Sequence, residues 1–170
     1  MARAYKKTYL NGAMRNLAVM MDCGVRKYGY TIGEFYQKFL SSCVSRQFSQ
    51  GNPRYLVGMS GAELADLVVQ ESGGSISDKN DGTYTTGPEY WAGWVLAYYQ
   101  WLSRRSFAFM QRKGLGADTV VSMYHPLHEA DLSKFADVAN GILTEGAAKS
   151  APTLPSTSKR ALLNNKRTRI

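Results

Sequence analysis

The segment PEYWAGWVLAYYQWLSR, residues 88–104, is the most aromatic part of the chain. Proline suits the first position of a helix, and the acid that follows it complements the helix dipole. Apolar side chains then recur at spacings of three and four residues, which predicts one long α-helix. The stripe consists of Trp91, Trp94, Val95, Tyr98, Trp101 and Leu102. Tyr90 and Tyr99 widen it almost all the way round, so we expect this helix to be central to the fold.

Three helical patterns precede this segment. Apolar residues at helical spacing from Leu10 to Tyr28 predict a first helix over about 8–28, which Gly29 ends. Thr31-Ile32-Gly33-Glu34 and Ser60-Gly61-Ala62-Glu63 have the form of capping boxes. They predict a second helix over 32–49 and a third that ends near residue 72, with an extended connector at 54–58 between them.

Shorter patterns follow the aromatic segment. Ser106 is a candidate cap for a short helix that Gly114 breaks, and Asp118 for another that Pro126 stops. The last helix is predicted over about 128–143. The polar residues 75–87 predict a loop, with a brief hairpin at Asn80-Asp81-Gly82 as the alternative.

These patterns predict an all-α protein, a compact bundle of about six or seven helices. We place the helical domain at residues 1–146 and a disordered basic tail at 147–170. The tail is rich in Ala, Ser, Pro and Thr and then in Lys, Arg and Asn, so it offers too little apolar surface to offset its chain entropy. A length of 170 residues is typical of one domain.

The net charge of +8 is unevenly distributed along the chain. Residues 147–170 hold six basic side chains and no acid, whereas residues 1–146 hold 15 basic and 13 acidic ones. The folded body is therefore nearly neutral. Nucleic-acid contact, if it occurs, is expected to use the tail, where phosphate neutralisation requires no defined fold. The candidate residues are Lys159, Arg160, Lys166, Arg167 and Arg169.

Composition also bears on the compartment. The chain has no apolar run of about 18 residues and no signal-peptide pattern, so we expect a cytoplasmic protein with no membrane contact. Cys23 and Cys43 each lie on the apolar side of a predicted helix. In a reducing compartment they are expected to be free thiols that pack as small hydrophobes.

The sharpest polar cluster contains both histidines of the chain. It comprises His125, His128, Glu129 and Asp131. The group suits a metal site or an acid–base pair, but Pro126 lies between the histidines and the spacing is not that of a zinc-protease helix. The start of a helix, where acids complement exposed N–H groups, is the favoured interpretation, and a partner-binding polar patch is the next.

Other functional patterns are weaker. No phosphate-binding loop, dinucleotide motif or nucleophile elbow is present, so we predict no cofactor and no metal. Residues 105–124 have a helix–turn–helix outline, but the second helix lacks Lys and Arg. The aromatic stripe is more typical of a core than of a base-stacking platform. Since not every ring can face inward, we expect Tyr90 or Tyr99 to be exposed, which favours a protein interface.

Three stretches together resemble small uncharacterised helical proteins of Gram-positive bacteria, from gene clusters that look like toxin–antitoxin or defence loci. They are residues 48–64, 90–101 and 123–131. The resemblance covers most of residues 8–143 and excludes the basic tail. It implies a companion that binds and neutralises a toxin encoded nearby. Because the family has no established activity, it implies no catalytic residue.

We therefore expect a helical protein-binding module, antitoxin-like or regulatory, rather than an enzyme. The predicted partner-binding residues are Tyr90, Trp94, Tyr99, His128, Glu129 and Asp131. One alternative is a nucleic-acid-associated protein that uses the tail. The other is a hydrolase or metal-dependent enzyme centred on the histidine and acid cluster, which requires these groups to converge in one pocket.

Overall fold

A computed structural model describes residues 1–77 and 84–149, apart from the side chains of 147–149. Over these ranges the chain is helical and contains no strand, which confirms the predicted all-α class. The α-helices are α1 (Leu10–Arg26), α2 (Ile32–Ser41), α3 (Cys43–Ser49), α4 (Gly61–Glu71), α5 (Pro88–Ser103), α6 (Phe107–Arg112), α7 (Ala117–Ser122), α8 (Tyr124–Leu127) and α9 (Leu132–Lys149). The hairpin predicted at 80–82 and residues 150–170 of the predicted tail lie outside the described residues.

The described ranges hold nine α-helices where six or seven were expected, and the additional ones arise at two places. Ser42 has an extended backbone, with ψ of 163°, and divides the predicted helix 32–49 into α2 and α3. The second additional helix is α8, which contains Pro126, a residue predicted to stop the preceding helix. The first turn of a helix tolerates proline, because its N–H groups have no intrahelical acceptor. The last helix begins at Leu132 and ends at Lys149, later than predicted at both ends.

The predicted extended connector is wrong. Residues 54–58 form a π-helical turn that buries Leu56 completely. Asn16 of α1 holds this turn, since its Nδ2 donates to the carbonyl oxygens of Leu56 and Met59, each at 2.9 Å. The segment is too short for its apolar spacing to reveal a helix, and the bonds that fix it come from a distant part of the chain.

Both predicted capping boxes are confirmed. The Thr31 hydroxyl accepts from the Glu34 N–H and the Glu34 carboxylate accepts from the Thr31 N–H, and Ser60 and Glu63 repeat the pattern. The N–H bonds to the two carboxylates lower the pKa of both glutamates. These reciprocal bonds fix the starts of α2 and α4.

Ser60→Ala is expected to lower the free energy of unfolding by about 1 kcal/mol, because the Glu63 N–H loses its acceptor. Urea unfolding followed by circular dichroism measures the change. The matched variant Ser60→Asp retains an acceptor and is expected to stay within about 0.5 kcal/mol of the wild type. Equal losses for the two variants would contradict the role of the cap.

Helix α5 shares the centre with α1, which also contacts α2 and α4, and it contacts α7, α8 and α9 as well. It crosses α1 at Gly93, where an added Cβ would lie 2.5 Å from the Leu17 carbonyl oxygen and 2.7 Å from the Ala18 Cα. The small residue lets the two backbones approach closely. Phe107 of α6 and Phe39 of α2 pack edge to face at 5.1 Å within the same core.

The N-terminal segment is attached to the carboxyl end of α5. The Ala4 N–H donates to the Trp101 carbonyl oxygen at 3.1 Å, and the Trp101 indole donates to the Tyr5 carbonyl oxygen at 2.9 Å. The Arg3 guanidinium donates to the Leu102 carbonyl oxygen at 3.0 Å and lies over the Trp101 ring. The N-terminal segment therefore lies at the carboxyl end of α5, and the candidate site lies toward the opposite end of this helix.

Cys23 and Cys43 are half-buried thiols that form no disulfide, as predicted. Cys43 differs from the expected apolar filler, because its thiol donates to the Glu71 carboxylate at 2.7 Å. Burial and this carboxylate raise the pKa of the Cys43 thiol. Over the described ranges, none of the helices has both the length and the hydropathy needed to cross a membrane.

Candidate partner-binding site

Aromatic rings form a ladder along the first turns of α5. The rings of Tyr90 and Trp94 lie 6.4 Å apart and within 18° of parallel, because residues four apart share one face of a helix. Tyr84, which precedes the helix, adds a third ring at 5.5 Å from Tyr90. The ladder is one wall of the candidate site.

Helix α8 supplies the opposite wall. The Tyr124 ring lies edge-on to Trp91 at 5.8 Å and stacks on the His128 imidazole at 4.3 Å. The His128 Nδ1 lies 2.9 Å from the Tyr124 carbonyl oxygen. Since a carbonyl oxygen only accepts, Nδ1 carries the hydrogen of this bond and the ring is held in place.

A pocket of about 330 Å³ lies between the two walls. It is lined by Thr86, Tyr90, Trp91, Trp94, Tyr124 and His128, and we call it the aromatic pocket. Its four Tyr and Trp side chains are half-buried, so they expose part of their surface to solvent. Apolar walls with a few polar groups are typical of a site that binds a ligand or a side chain.

Asp22 of α1 positions the edge of the aromatic pocket. Its carboxylate is 2 % exposed and accepts from the Thr85 N–H at 3.2 Å, next to the lining residue Thr86. Arg26 lies 3.6 Å away and compensates part of the buried charge. Burial nevertheless raises the pKa of Asp22 above its ordinary value.

Asp22→Asn is expected to gain stability relative to the wild type as the pH rises from 4 to 7. The raised pKa means that the folded chain binds the Asp22 proton more tightly than the unfolded chain does. The wild type therefore loses stability as the pH rises from the ordinary aspartate range through the folded pKa, whereas asparagine stays neutral. Urea unfolding of both proteins at each pH measures the difference, and a constant difference would contradict the raised pKa.

The structure brings three of the predicted partner-binding residues together. Tyr90, Trp94 and His128 all line the aromatic pocket. Tyr99 is a correction, since its ring is 1 % exposed and packs edge to face on Phe135 of α9. Its hydroxyl donates to the Asn140 side chain at 2.7 Å. The ring of Tyr99 therefore belongs to the core.

The remaining residues of the histidine and acid cluster do not line the aromatic pocket. Asp131 caps α9, because its carboxylate accepts from the Ser133 N–H at 2.8 Å, and this bond lowers its pKa. The side chain of Glu129 is 88 % exposed and approaches His128 Nε2 at 3.7 Å. His125 is exposed, with its ring edge-on to Tyr124 at 5.5 Å.

The enzyme hypothesis requires these four groups to converge in one pocket, and they do not. The favoured interpretation, a helix start, is confirmed at Asp131, although the helix begins later than predicted. Within residues 1–77 and 84–149, no three His, Cys, Asp or Glu side chains are placed to hold a metal ion.

A second surface feature, which the charge count of the body conceals, surrounds Phe109 of α6. The Arg105, Arg112 and Lys113 side chains lie 4.9, 6.0 and 5.9 Å from the centre of the Phe109 ring. Arg105, Phe109 and Lys113 line a groove of about 680 Å³ toward α9, whose wall also includes Asn140. The predicted nucleic-acid-binding residues of the tail lie outside the described residues, and we call the groove beside Phe109 the basic groove.

Comparison with protein-family models, with curated proteins and with solved structures finds no match for this chain.

Proposed function

We propose that this protein is a binding module that takes a side chain of another protein in the aromatic pocket. The observation that carries the proposal is the convergence of two separate parts of the sequence on one pocket. Tyr90, Trp91 and Trp94 come from α5, and Tyr124 and His128 come from the region of α8. Neither part encloses a cavity by itself.

Physical chemistry favours a protein as the partner. Half-exposed Trp and Tyr rings are the side chains that contribute most at protein interfaces, where a ring buries a large area at a small entropic cost. The rings here are held by stacking and by a central helix, so binding requires little further ordering. Polar groups at the edge, such as Thr86 and Glu129, match the polar rim of such interfaces.

For the identity of the partner, we propose a toxin encoded nearby, which the chain binds and neutralises. Support comes from the sequence resemblance, and it is independent of the geometry of the pocket. Co-expression with the product of a neighbouring reading frame is expected to give a stoichiometric complex and to relieve growth inhibition. Toxicity that persists without a complex would contradict this partner and leave the pocket to be tested separately.

Selection of random displayed peptides on the full chain is expected to enrich sequences that bind the aromatic pocket. Trp94→Ala and Tyr124→Ala each remove a wall, so we expect each to weaken the selected peptides by at least about tenfold, as loss of an interface anchor does. Fluorescence anisotropy of labelled peptides measures the affinities.

Phe109→Ala is the matched control, because Phe109 is a half-buried aromatic residue outside the aromatic pocket. It is expected to leave peptide binding unchanged. Selected peptides that tolerate the two pocket variants but lose affinity for Phe109→Ala would contradict the proposed site.

The basic groove favours a second candidate function, association with nucleic acid. Residues 104–113 contain four basic side chains and no acid. The candidate predicts an affinity that falls steeply with salt, because bound cations release counterions from the phosphates. Replacement of Arg105 and Lys113 with serine is expected to reduce the slope of this dependence, and a salt-independent affinity would exclude this second function.

A further inference from the structure

We infer that the aromatic pocket selects a guanidinium group, the head of an arginine side chain on the partner protein. The inference rests on the proposed function and specifies the chemistry that the pocket recognises. It stands on three properties of the pocket: the orientation of its rings, its hydrogen-bond acceptors and the sign of the charges that surround it.

The rings present faces in two directions. Tyr90 and Trp94 lie within 18° of parallel, whereas Trp91 stands at 75° to Tyr124. An aromatic face carries negative potential, and tryptophan attracts cations most strongly. A planar cation in this space can stack on one face while another ring borders its edge, and the guanidinium is a planar cation that is always charged and stacks on aromatic faces.

The polar groups of the pocket are suited to a donor-rich ligand. Thr86, Tyr90 and Tyr124 each bring a hydroxyl oxygen that can accept a hydrogen bond. A guanidinium has five N–H donors and no acceptor, so it can use several of these oxygens at once. An aliphatic side chain can make none of these hydrogen bonds.

Acidic side chains near the pocket (Asp22, Glu89 and Glu129) outnumber the basic ones (Arg15 and Arg26). Its six lining residues include no Lys and no Arg. The Glu129 carboxylate lies 3.7 Å from Nε2 of His128, which lines the pocket. Glu89 lies in the first turn of α5, close enough to Asp22 to raise the pKa of that carboxyl. Two cations also lie nearby: Arg26 is paired with Asp22, and Arg15 is close enough to Tyr90 to oppose the rise in the pKa of its hydroxyl.

Arginine is favoured over lysine because of hydration. The ammonium group is a compact and strongly hydrated charge, so moving it between aromatic walls removes more favourable solvation. The guanidinium is weakly hydrated and stacks on aromatic faces. Selectivity for arginine over lysine therefore separates stacking from simple charge attraction.

The test titrates the full chain with four capped tripeptides at equal ionic strength. They are acetyl-Gly-X-Gly-amide with arginine, lysine, citrulline or leucine at X. Citrulline is the decisive comparison, since it is a neutral near-isostere of arginine. Two of the three tryptophans line the pocket, so intrinsic fluorescence and the indole N–H signals in NMR spectra report occupancy directly.

We expect the arginine peptide to bind roughly tenfold more tightly than the citrulline peptide, a ratio typical of a partly desolvated cation–π contact. Trp94→Ala is expected to abolish this preference, whereas Trp94→Phe retains a ring face and part of the preference. Phe109→Ala is the control and is expected to leave it unchanged. Thermal unfolding of each variant confirms that it is folded before the titration.

Equal affinity for citrulline or leucine overturns the inference and leaves the proposed protein-binding function in place. Arginine binding that Trp94→Ala does not affect but Phe109→Ala does also overturns it, because the site would then lie elsewhere. The proposed function has its own test in the displayed peptides, and a selection that yields no binder of the pocket overturns it separately.

Discussion

Gly93→Val is expected to lower the free energy of unfolding by about 3 kcal/mol. The reason is the close crossing of α1 and α5, where a Cβ at position 93 would lie 2.5 Å from the Leu17 carbonyl oxygen and 2.8 Å from the Ala18 N. These atoms belong to the backbone, so no rotamer change relieves the overlap and the two helices must move apart. Urea unfolding at constant pH measures the loss.

Gly141→Ala is the matched control for Gly93. Gly141 is exposed within α9, and an added Cβ there meets no atom within 4 Å. Alanine has the higher helix propensity, so this variant is expected to be more stable than the wild type by about 0.5–1 kcal/mol. A loss of stability for Gly93→Val together with a gain for Gly141→Ala would establish the close crossing of α1 and α5. A Gly93→Val variant as stable as the wild type would contradict it.

Phe107→Ala is expected to destabilise the fold by about 3–5 kcal/mol. Phe107 is completely buried, with its ring 5.1 Å from that of Phe39 and 5.8 Å from that of Phe48. Its removal leaves a cavity where α2, α3 and α6 meet. The loss of stability and a less cooperative urea transition are the measurable results.

Phe109 provides the comparison for Phe107 within the same short helix. It is half-buried and lies among the cationic side chains of the basic groove. Phe109→Ala is expected to cost about 1 kcal/mol, mainly from lost contacts between the ring and these cations. Similar losses at both positions would show that α6 does not orient Phe107 toward the core.

The all-α class and the starts of α2 and α4 could be predicted because their signals are local. A capping box lies within four residues, and the apolar spacing of a helix repeats within a few more. The break at Ser42 could not be predicted in this way, because Phe39 and Cys43 keep helical spacing across it. The interruption is a backbone feature that the apolar pattern does not record.

The residues of the candidate site could likewise be predicted only in part. Tyr90 and Tyr99 both widen the aromatic stripe of α5, and the local sequence does not distinguish them. Their different exposure is decided by α9, whose Phe135 packs on Tyr99 and leaves Tyr90 beside the pocket. The roles of Trp91 and Tyr124 were missed for the same reason, since their contact joins residues that are far apart in sequence. The four basic side chains of residues 104–113 indicate the basic groove in the sequence. The near-neutral net charge of residues 1–146 as a whole conceals this local excess.

The attachment of the N-terminal segment to Trp101 has a practical consequence for handling the protein. Trp101 lies eleven positions beyond Tyr90 on the same helix, which corresponds to a separation on the order of 15 Å along the axis. A fluorescent protein or a surface anchor fused ahead of Arg3 would therefore emerge near the far end of α5. Immobilisation through that fusion leaves the aromatic pocket facing solution, whereas a tether near residue 84 would obstruct its mouth.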